Sequence, residues 1–114
     1  MVNRALTEPA FFILTALVAG PRHGYGIVGD VAQLSDGRVQ LKIGTLYGVL
    51  DRLVGDALVE LDREEVERGR LRRYYRLTEA GRRDLATEAE RHAANARVAA
   101  ERLRATRPTL GGAA

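Results

Sequence analysis

The sequence predicts a mainly α chain with a small β-hairpin. Apolar residues recur at helical spacing through four segments. The period switches to two over residues 58–61 and 71–77, and turn residues separate the segments. A chain of 114 residues is one domain's worth, able to hide roughly two-thirds of its unfolded surface. Hydrophobic residues make up 46% and aromatic ones only 5%, with no Trp, so the core is expected to be Leu, Val, Ile and Ala.

Thr7-Glu8-Pro9 opens the first helix: Thr can cap, Glu favours the positive end, and Pro is tolerated in the first turn. The run from Phe11 to Val18 is apolar most of the way round, which predicts burial on more than one side, and Gly20-Pro21 ends it. A second helix is expected from Tyr25 to Leu34. Tyr25, Val28, Val31 and Ala32 share one face, with Ile27 and Leu34 beside it. Ser35-Asp36-Gly37 is a turn cluster, and Val39-Gln40-Leu41 alternates like one small strand. A third helix over Ile43–Asp56 has Leu46, Leu50 and Leu53 as its buried stripe and Lys42, Thr45, Tyr47, Gly48 and Arg52 opposite.

Leu58–Leu61 and Leu71–Leu77 then read as two strands, joined by a charged loop containing Arg68-Gly69-Arg70. Tyr75 and Leu77 face inward in this reading, Tyr74 and Arg76 outward. Thr78 caps a last helix running to Thr106, whose seam of Leu85, Ala89, His92, Ala93, Ala96, Ala99, Ala100 and Leu103 is too thin to stabilise it alone. Helix, helix, helix, hairpin, long helix is the plan of a winged helix-turn-helix plus a long C-terminal dimerisation helix. The expected division is 1–77 for the DNA-binding domain, 78–106 for the dimerisation helix, and 107–114 for a disordered tail.

Composition excludes several function classes. The absence of Cys removes disulfides, thiolate nucleophiles and Cys-based metal sites. His23 and His92 are far apart in sequence, and Asp51, Asp56 and Glu60 have the spacing of ordinary surface charge. No nucleophile elbow, zinc-protease motif or phosphate loop occurs, and Gly24-Tyr25-Gly26 follows no strand. The chain is therefore expected not to be an enzyme and to use no cofactor or metal. His23 reads as a cap or packing residue. With no signal-peptide pattern, and an apolar stretch at Ala10–Gly20 too short for a bilayer, a cytoplasmic chain without a membrane partner is expected.

Net charge is only +3, but its distribution is uneven. Residues 1–61 carry five basic and six acidic side chains, whereas 62–83 carry eight basic and five acidic. Five arginines and no acid lie between Arg68 and Arg76, and Lys42 is the only lysine. A local basic patch of this kind suits a polyanion.

Three motifs in order carry a resemblance: His23-Gly24-Tyr25-Gly26-Ile27, then Gly44-Thr45-Leu46-Tyr47, then Arg72-Arg73-Tyr74-Tyr75-Arg76-Leu77-Thr78-Glu79-Ala80-Gly81. Over residues 8–90 the chain resembles the PadR family of transcriptional regulators, in its compact branch with a short C-terminal helix. The resemblance implies a winged-helix DNA-binding domain, dimerisation through the first and last helices, and repression relieved by a small-molecule effector. Leu41-Lys42-Ile43 departs from the small residue the family often carries near the glycine. If Ile43 is buried, the recognition helix starts one residue later.

The second helix of a helix-turn-helix enters the major groove by its N-terminal residues. That gives Lys42, Gly44, Thr45, Tyr47 and, toward the backbone, Arg52 as candidate contacts to double-stranded DNA. Three of them have a plainer alternative: a partly buried packing role for Tyr47 beside Leu46, support of the helix start for Thr45, and turn geometry for Gly44. In the wing, Arg70, Arg72 and Arg73 could track phosphates or enter the minor groove, or could simply pair with Glu64, Glu65 and Glu67. Phe11, Phe12 and the seam residues Leu85, Ala89, Ala96 and Leu103 offer more apolar surface than one small core needs, which points to a homodimer. One of the two phenylalanines can instead fill the monomer core. The rival to a DNA-binding regulator is a winged-helix module that pairs only with proteins.

Overall fold

Each element of the computed structural model, which describes residues 5–108, begins where local chemistry satisfies its free backbone groups. The order is α1 (Glu8–Leu17), β1 (Arg22–His23), α2 (Gly24–Leu34), α3 (Ile43–Gly55), β2 (Val59–Glu67), β3 (Arg70–Leu77) and α4 (Glu79–Ala105). Thr7 caps α1, its hydroxyl accepting from the Ala10 amide at 3.2 Å. Thr78 caps α4, accepting from the Gly81 amide at 2.9 Å while donating to the Ala57 carbonyl at 2.7 Å. The strands form one antiparallel sheet in the order β1-β3-β2. Three helices, a two-stranded wing and a long final helix make the winged-helix fold that the sequence predicts.

The core lies where α1, α2 and α3 meet the inner face of the sheet. Ile13, Leu14, Leu17, Ile27, Val31, Leu46, Leu50 and Val59 are essentially inaccessible, with Leu53, Tyr75 and Leu85 closing the edges. Full burial of an aliphatic side chain contributes about 1.5–3 kcal/mol, so this cluster is the main source of stability. The stripe expected on α3 is the buried one. That expected on α2 is rotated: Ile27 and Val31 are buried, whereas Tyr25 and Leu34 are exposed.

Two further expectations are corrected. Val39–Leu41 forms no strand. The Val39 amide donates to the buried Ser35 hydroxyl at 2.9 Å, and Asp36 and Gly37 take positive φ, so a local turn consumes the group a ladder would need. The small third strand is β1, paired to β3 through Arg22↔Tyr75 and His23↔Tyr74. Nor is there a charged loop between the wing strands. β2 runs nine residues, and only Arg68 and Gly69 turn the chain, with φ of 51° and 78°. Positive φ at both positions is the two-residue turn whose twist matches a hairpin.

α4 has 27 residues, about 40 Å of helix, but buries only Gly81, Leu85 and Glu88. The Glu88 carboxylate accepts from the Leu6 amide at 3.1 Å and pairs with Arg91 and His92, tying the start of the described chain to α4. Of the expected tail, residues 109–114 lie outside the described residues. Among the described residues no helix is long and apolar enough to cross a membrane.

Gly81 is where α4 meets the sheet. A Cβ there would run into the Leu58 carbonyl oxygen and lie 2.8 Å from a Leu77 methyl. Gly81→Ala should therefore lose about 2–3 kcal/mol in urea unfolding, against about 1 kcal/mol for removing the α4 cap in Thr78→Ala. Equal stability of Gly81→Ala and the native chain would show that α4 can shift away from Leu58.

Candidate nucleic-acid interface

The β1–α2 junction is the hinge between helices and wing. β1 is hydrogen-bonded to β3, and the next residue starts α2, so no slack separates the sheet from the helix. His23 caps α2: its Nδ1 accepts from the Gly26 amide at 3.3 Å. The same ring meets Tyr74 edge-on, with centroids 5.4 Å apart. The Arg72 Nη1 lies 3.1 Å from both ring nitrogens. In the ring plane the Cε1–H stands between those nitrogens, so the guanidinium must sit over the ring face. The contact is made through the ring face, not along a lone pair.

Gly24 lets α3 close against this junction. A Cβ on it would lie 2.6 Å from the Tyr47 hydroxyl and 3.2 Å from an Ile43 methyl. Tyr47 therefore leans on α2 with 36% of its surface still exposed, placing the packing and surface alternatives in one side chain. Tyr47, Tyr25, His23 and residues 70–73 line a cavity of about 130 Å³ between α3, α2 and the wing.

α3 begins at Ile43, which is half-buried, so its start is where the sequence places it. Lys42 is the N-cap but bonds no amide through its side chain, leaving the first-turn N–H groups open to an anion. Lys42, Gly44, Thr45, Gly48 and Arg52 are exposed together. Nothing lies within 4 Å of a Cβ built on Gly44 or Gly48, so the backbone itself is accessible along this face.

The wing carries a ladder of ion pairs. Arg73 pairs with Glu64 at 3.0 Å, Arg72 with Glu67 at 3.3 Å, and Arg76 with Glu60 at 2.7 Å and Asp62 at 3.2 Å. Arg63 bonds Asp62 and Glu65 and lies 4.0 Å above the Tyr74 ring. The Tyr74 hydroxyl donates to Glu67 at 2.6 Å. That bond, reinforced by Arg72, His23 and Arg63, holds the Glu67 carboxyl below the usual carboxylate range and raises the Tyr74 phenol. A depressed carboxylate pKa contributes stability above its unfolded value and loses it only as pH falls through the lower folded one, so the clamp survives mild acid.

Of the candidate wing arginines, then, Arg72 and Arg73 are engaged within the chain and Arg70 is not. Arg68, Arg70, Lys42, Arg38 and Arg52 make no ion pair within 4 Å among the described residues. Sequence reasoning did not select Arg68 or Arg38. The signal was present for Arg68, beside the one glycine of the wing.

The residues expected at a dimer contact fall into two groups. Leu85 belongs to the core of its own chain; Phe11 and Phe12 are half-buried and meet edge to face at 5.6 Å, with Phe11 4.8 Å from the His92 ring. Ala89, Ala96 and Leu103 are exposed along α4.

The closeness of Gly24 to the Tyr47 hydroxyl is testable. Gly24→Ala should cost about 1–3 kcal/mol in chemical unfolding, and Tyr47→Phe, lacking the nearest atom, should recover part of that loss. Purely additive effects would contradict the contact.

Comparison with known proteins agrees with this geometry. The chain spans less than two thirds of the length of the curated relatives it matches. One, an uncharacterized 37.1 kDa protein in a transposon of Streptomyces fradiae, is 44% identical over 82 residues, which are 72% of this chain and 22% of that protein. A PadR family transcription regulator from Clostridium difficile is 24% identical, with a TM-score of 0.71 over 85% of this chain and 99% of that one. Bacillus subtilis PadR in complex with operator DNA is 22% identical, with a TM-score of 0.61 over 68% of this chain and 44% of that one. At these identities the two structures share its fold. The sequence model of the transcriptional regulator PadR-like family matches residues 13–87, and the chain belongs to that family.

Proposed function

We propose that this chain is a DNA-binding transcriptional repressor that holds a pseudo-palindromic operator as a homodimer. The observation that carries the reading is the alignment of unpaired cations with an open helix N-terminus. Lys42 and the first-turn amides of α3 stand at one end of an exposed helix face, and Arg68 and Arg70 stand at the tip of a wing fixed to the same core. Thr45 and the bare backbone at Gly44 and Gly48 suit entry into the major groove. The wing tip suits phosphates or the minor groove beside it. The complex of Bacillus subtilis PadR with operator DNA supports the same use of the fold.

The exposure of α4 supports the homodimer. Val98 and Leu103 are 64% and 71% exposed, and among the described residues α4 buries only Gly81, Leu85 and Glu88. A helix so composed gains its stability from tertiary contact, which a second copy supplies. Two-fold symmetry then presents two recognition helices about 34 Å apart, matching successive turns of one duplex face. An effector in this reading sits between chains. Two cavities among the described residues hold about 130 and 220 Å³, below the roughly 300–1,000 Å³ of a typical small-molecule pocket.

Fluorescence anisotropy with the duplex upstream of the gene, against a shuffled duplex and across a salt series, tests the proposal. Preference for the upstream duplex, two chains per site and a steep fall with salt are expected. Arg68→Gln and Arg70→Gln, each present twice in the two-chain complex, should each reduce the salt slope by about two. Arg76→Gln, whose arginine is held by Glu60 and Asp62, should leave it unchanged. No binding to either duplex at low salt would refute DNA recognition in favour of a protein-pairing module.

A further inference from the structure

We infer that His23 is a positioning residue whose neutral form sets the wing against α2 and α3, so that its protonation loosens the grip on DNA. The inference rests on the DNA-binding reading and adds a regulation to it. One imidazole does two jobs that both require an uncharged ring. Its Nδ1 must be bare to accept from the Gly26 amide and cap α2. Its face must tolerate the Arg72 guanidinium 3.1 Å from both nitrogens. A neutral ring with hydrogen on Nε2 satisfies both. An imidazolium has no acceptor for the cap and repels Arg72.

The charges around the ring determine where the wing goes. From β1 the neighbour is Arg22, itself paired to Asp30 of α2. From α2 and α3 come Tyr25 and Tyr47, across the shared cavity. From β3 come Arg72 and Tyr74, with Arg70 and Arg73 across the shared cavity, and from β2 come Glu67, ion-paired with Arg72 and hydrogen-bonded by Tyr74, and Arg63 over the Tyr74 ring. Glu67 is still ionised where histidine titrates, so a protonated His23 pushes Arg72 away and draws Glu67 toward itself. Both movements break the Arg72–Glu67 pair that sets the strand ends beside the tip arginines, Arg68 and Arg70. The cap loss acts on α2, against which Gly24 seats Tyr47 of the recognition helix.

The sign of the effect separates this device from simple attraction. Added positive charge ordinarily tightens binding to a polyanion. Here acidification is expected to weaken it. His92, the other histidine, lies on α4 beside Glu88 and Phe11 and serves as the control.

The experiment measures duplex affinity by anisotropy at fixed ionic strength between about pH 8 and pH 5.5, spanning histidine titration. The native chain and His92→Asn should bind at least about threefold more weakly in acid. His23→Asn, which can still cap α2 but cannot titrate, loses the ring against Arg72 and should therefore bind more weakly than the native chain at the upper pH, with an affinity that no longer declines in acid. Unchanged or tighter binding in acid, or a decline that persists in His23→Asn, would overturn the inference.

A second arm needs neither DNA nor a variant. Nitrogen NMR of the free native chain should show His23 as the Nε2–H tautomer at the upper pH, with the amides of residues 68–73 shifting along its titration. If the native chain binds no duplex at any pH, the DNA reading fails and this arm alone decides. Wing amides indifferent to the titration, or an Nδ1–H tautomer, would overturn the positioning role.

Discussion

The structure depends on one strand being held from both sides. β3 is bonded to β2 along the wing and to the two residues of β1 at its base. β1 passes without a linker into α2, and α2 packs on α3. A wing attached only by its hairpin would be a marginal two-stranded ribbon. Pinned by Arg22↔Tyr75 and His23↔Tyr74, with Tyr75 buried among the helices, it becomes part of the body that carries the exposed face of α3. Two surfaces meant for one rigid target need such a fixed relation, because a loose connection would lose affinity to the entropy of ordering it.

Charge is distributed to suit that rigidity. Exposed ion pairs contribute little each, about 0–1 kcal/mol, but the ladder from Glu60–Arg76 to Glu67–Arg72 sets register along a strand whose Asp62–Glu67 segment has few apolar side chains. It also neutralises most of the wing's cations locally. Among the described residues of the wing, the cations left without an ion pair are Arg68 and Arg70 at its tip. The small net charge of the chain is thus compatible with strong local fields where a polyanion would lie.

Much of this was legible in the sequence. The caps at Thr7 and Thr78, the stripe of Leu46, Leu50 and Leu53, and the inward Tyr75 and Leu77 follow from capping chemistry and periodicity, and they appear where those rules place them. Other features carried no such signal. β1 is two residues long and exists only through its pairing with a strand more than fifty positions away. The outer half of β2 is exposed and charged, so no alternation marks it as strand. Tyr25 lies on the exposed side of α2 because the helix rotates to bury Ile27 and Val31, a choice made by α1 and α3 together. The site divides in the same way. Lys42, Thr45 and Arg70 are exposed as a surface reading requires, while the engagement of Arg72 by His23 and Glu67 needs three strands in register and cannot be seen along the chain.

In the proposed DNA complex α3 and the wing address adjacent grooves of one duplex as a single body. Because the chain has no Cys, Thr45→Cys and Val66→Cys each offer one attachment point for a tethered iron chelate that cleaves nearby deoxyribose. Mapping the cleavage on the bound operator measures this arrangement. Major-groove cutting is expected from residue 45, and cutting displaced by roughly five base pairs, half a duplex turn, from residue 66. The pattern should repeat about one turn away for the second chain. Cutting from residue 66 alone, or coincident cutting from both positions, would contradict it.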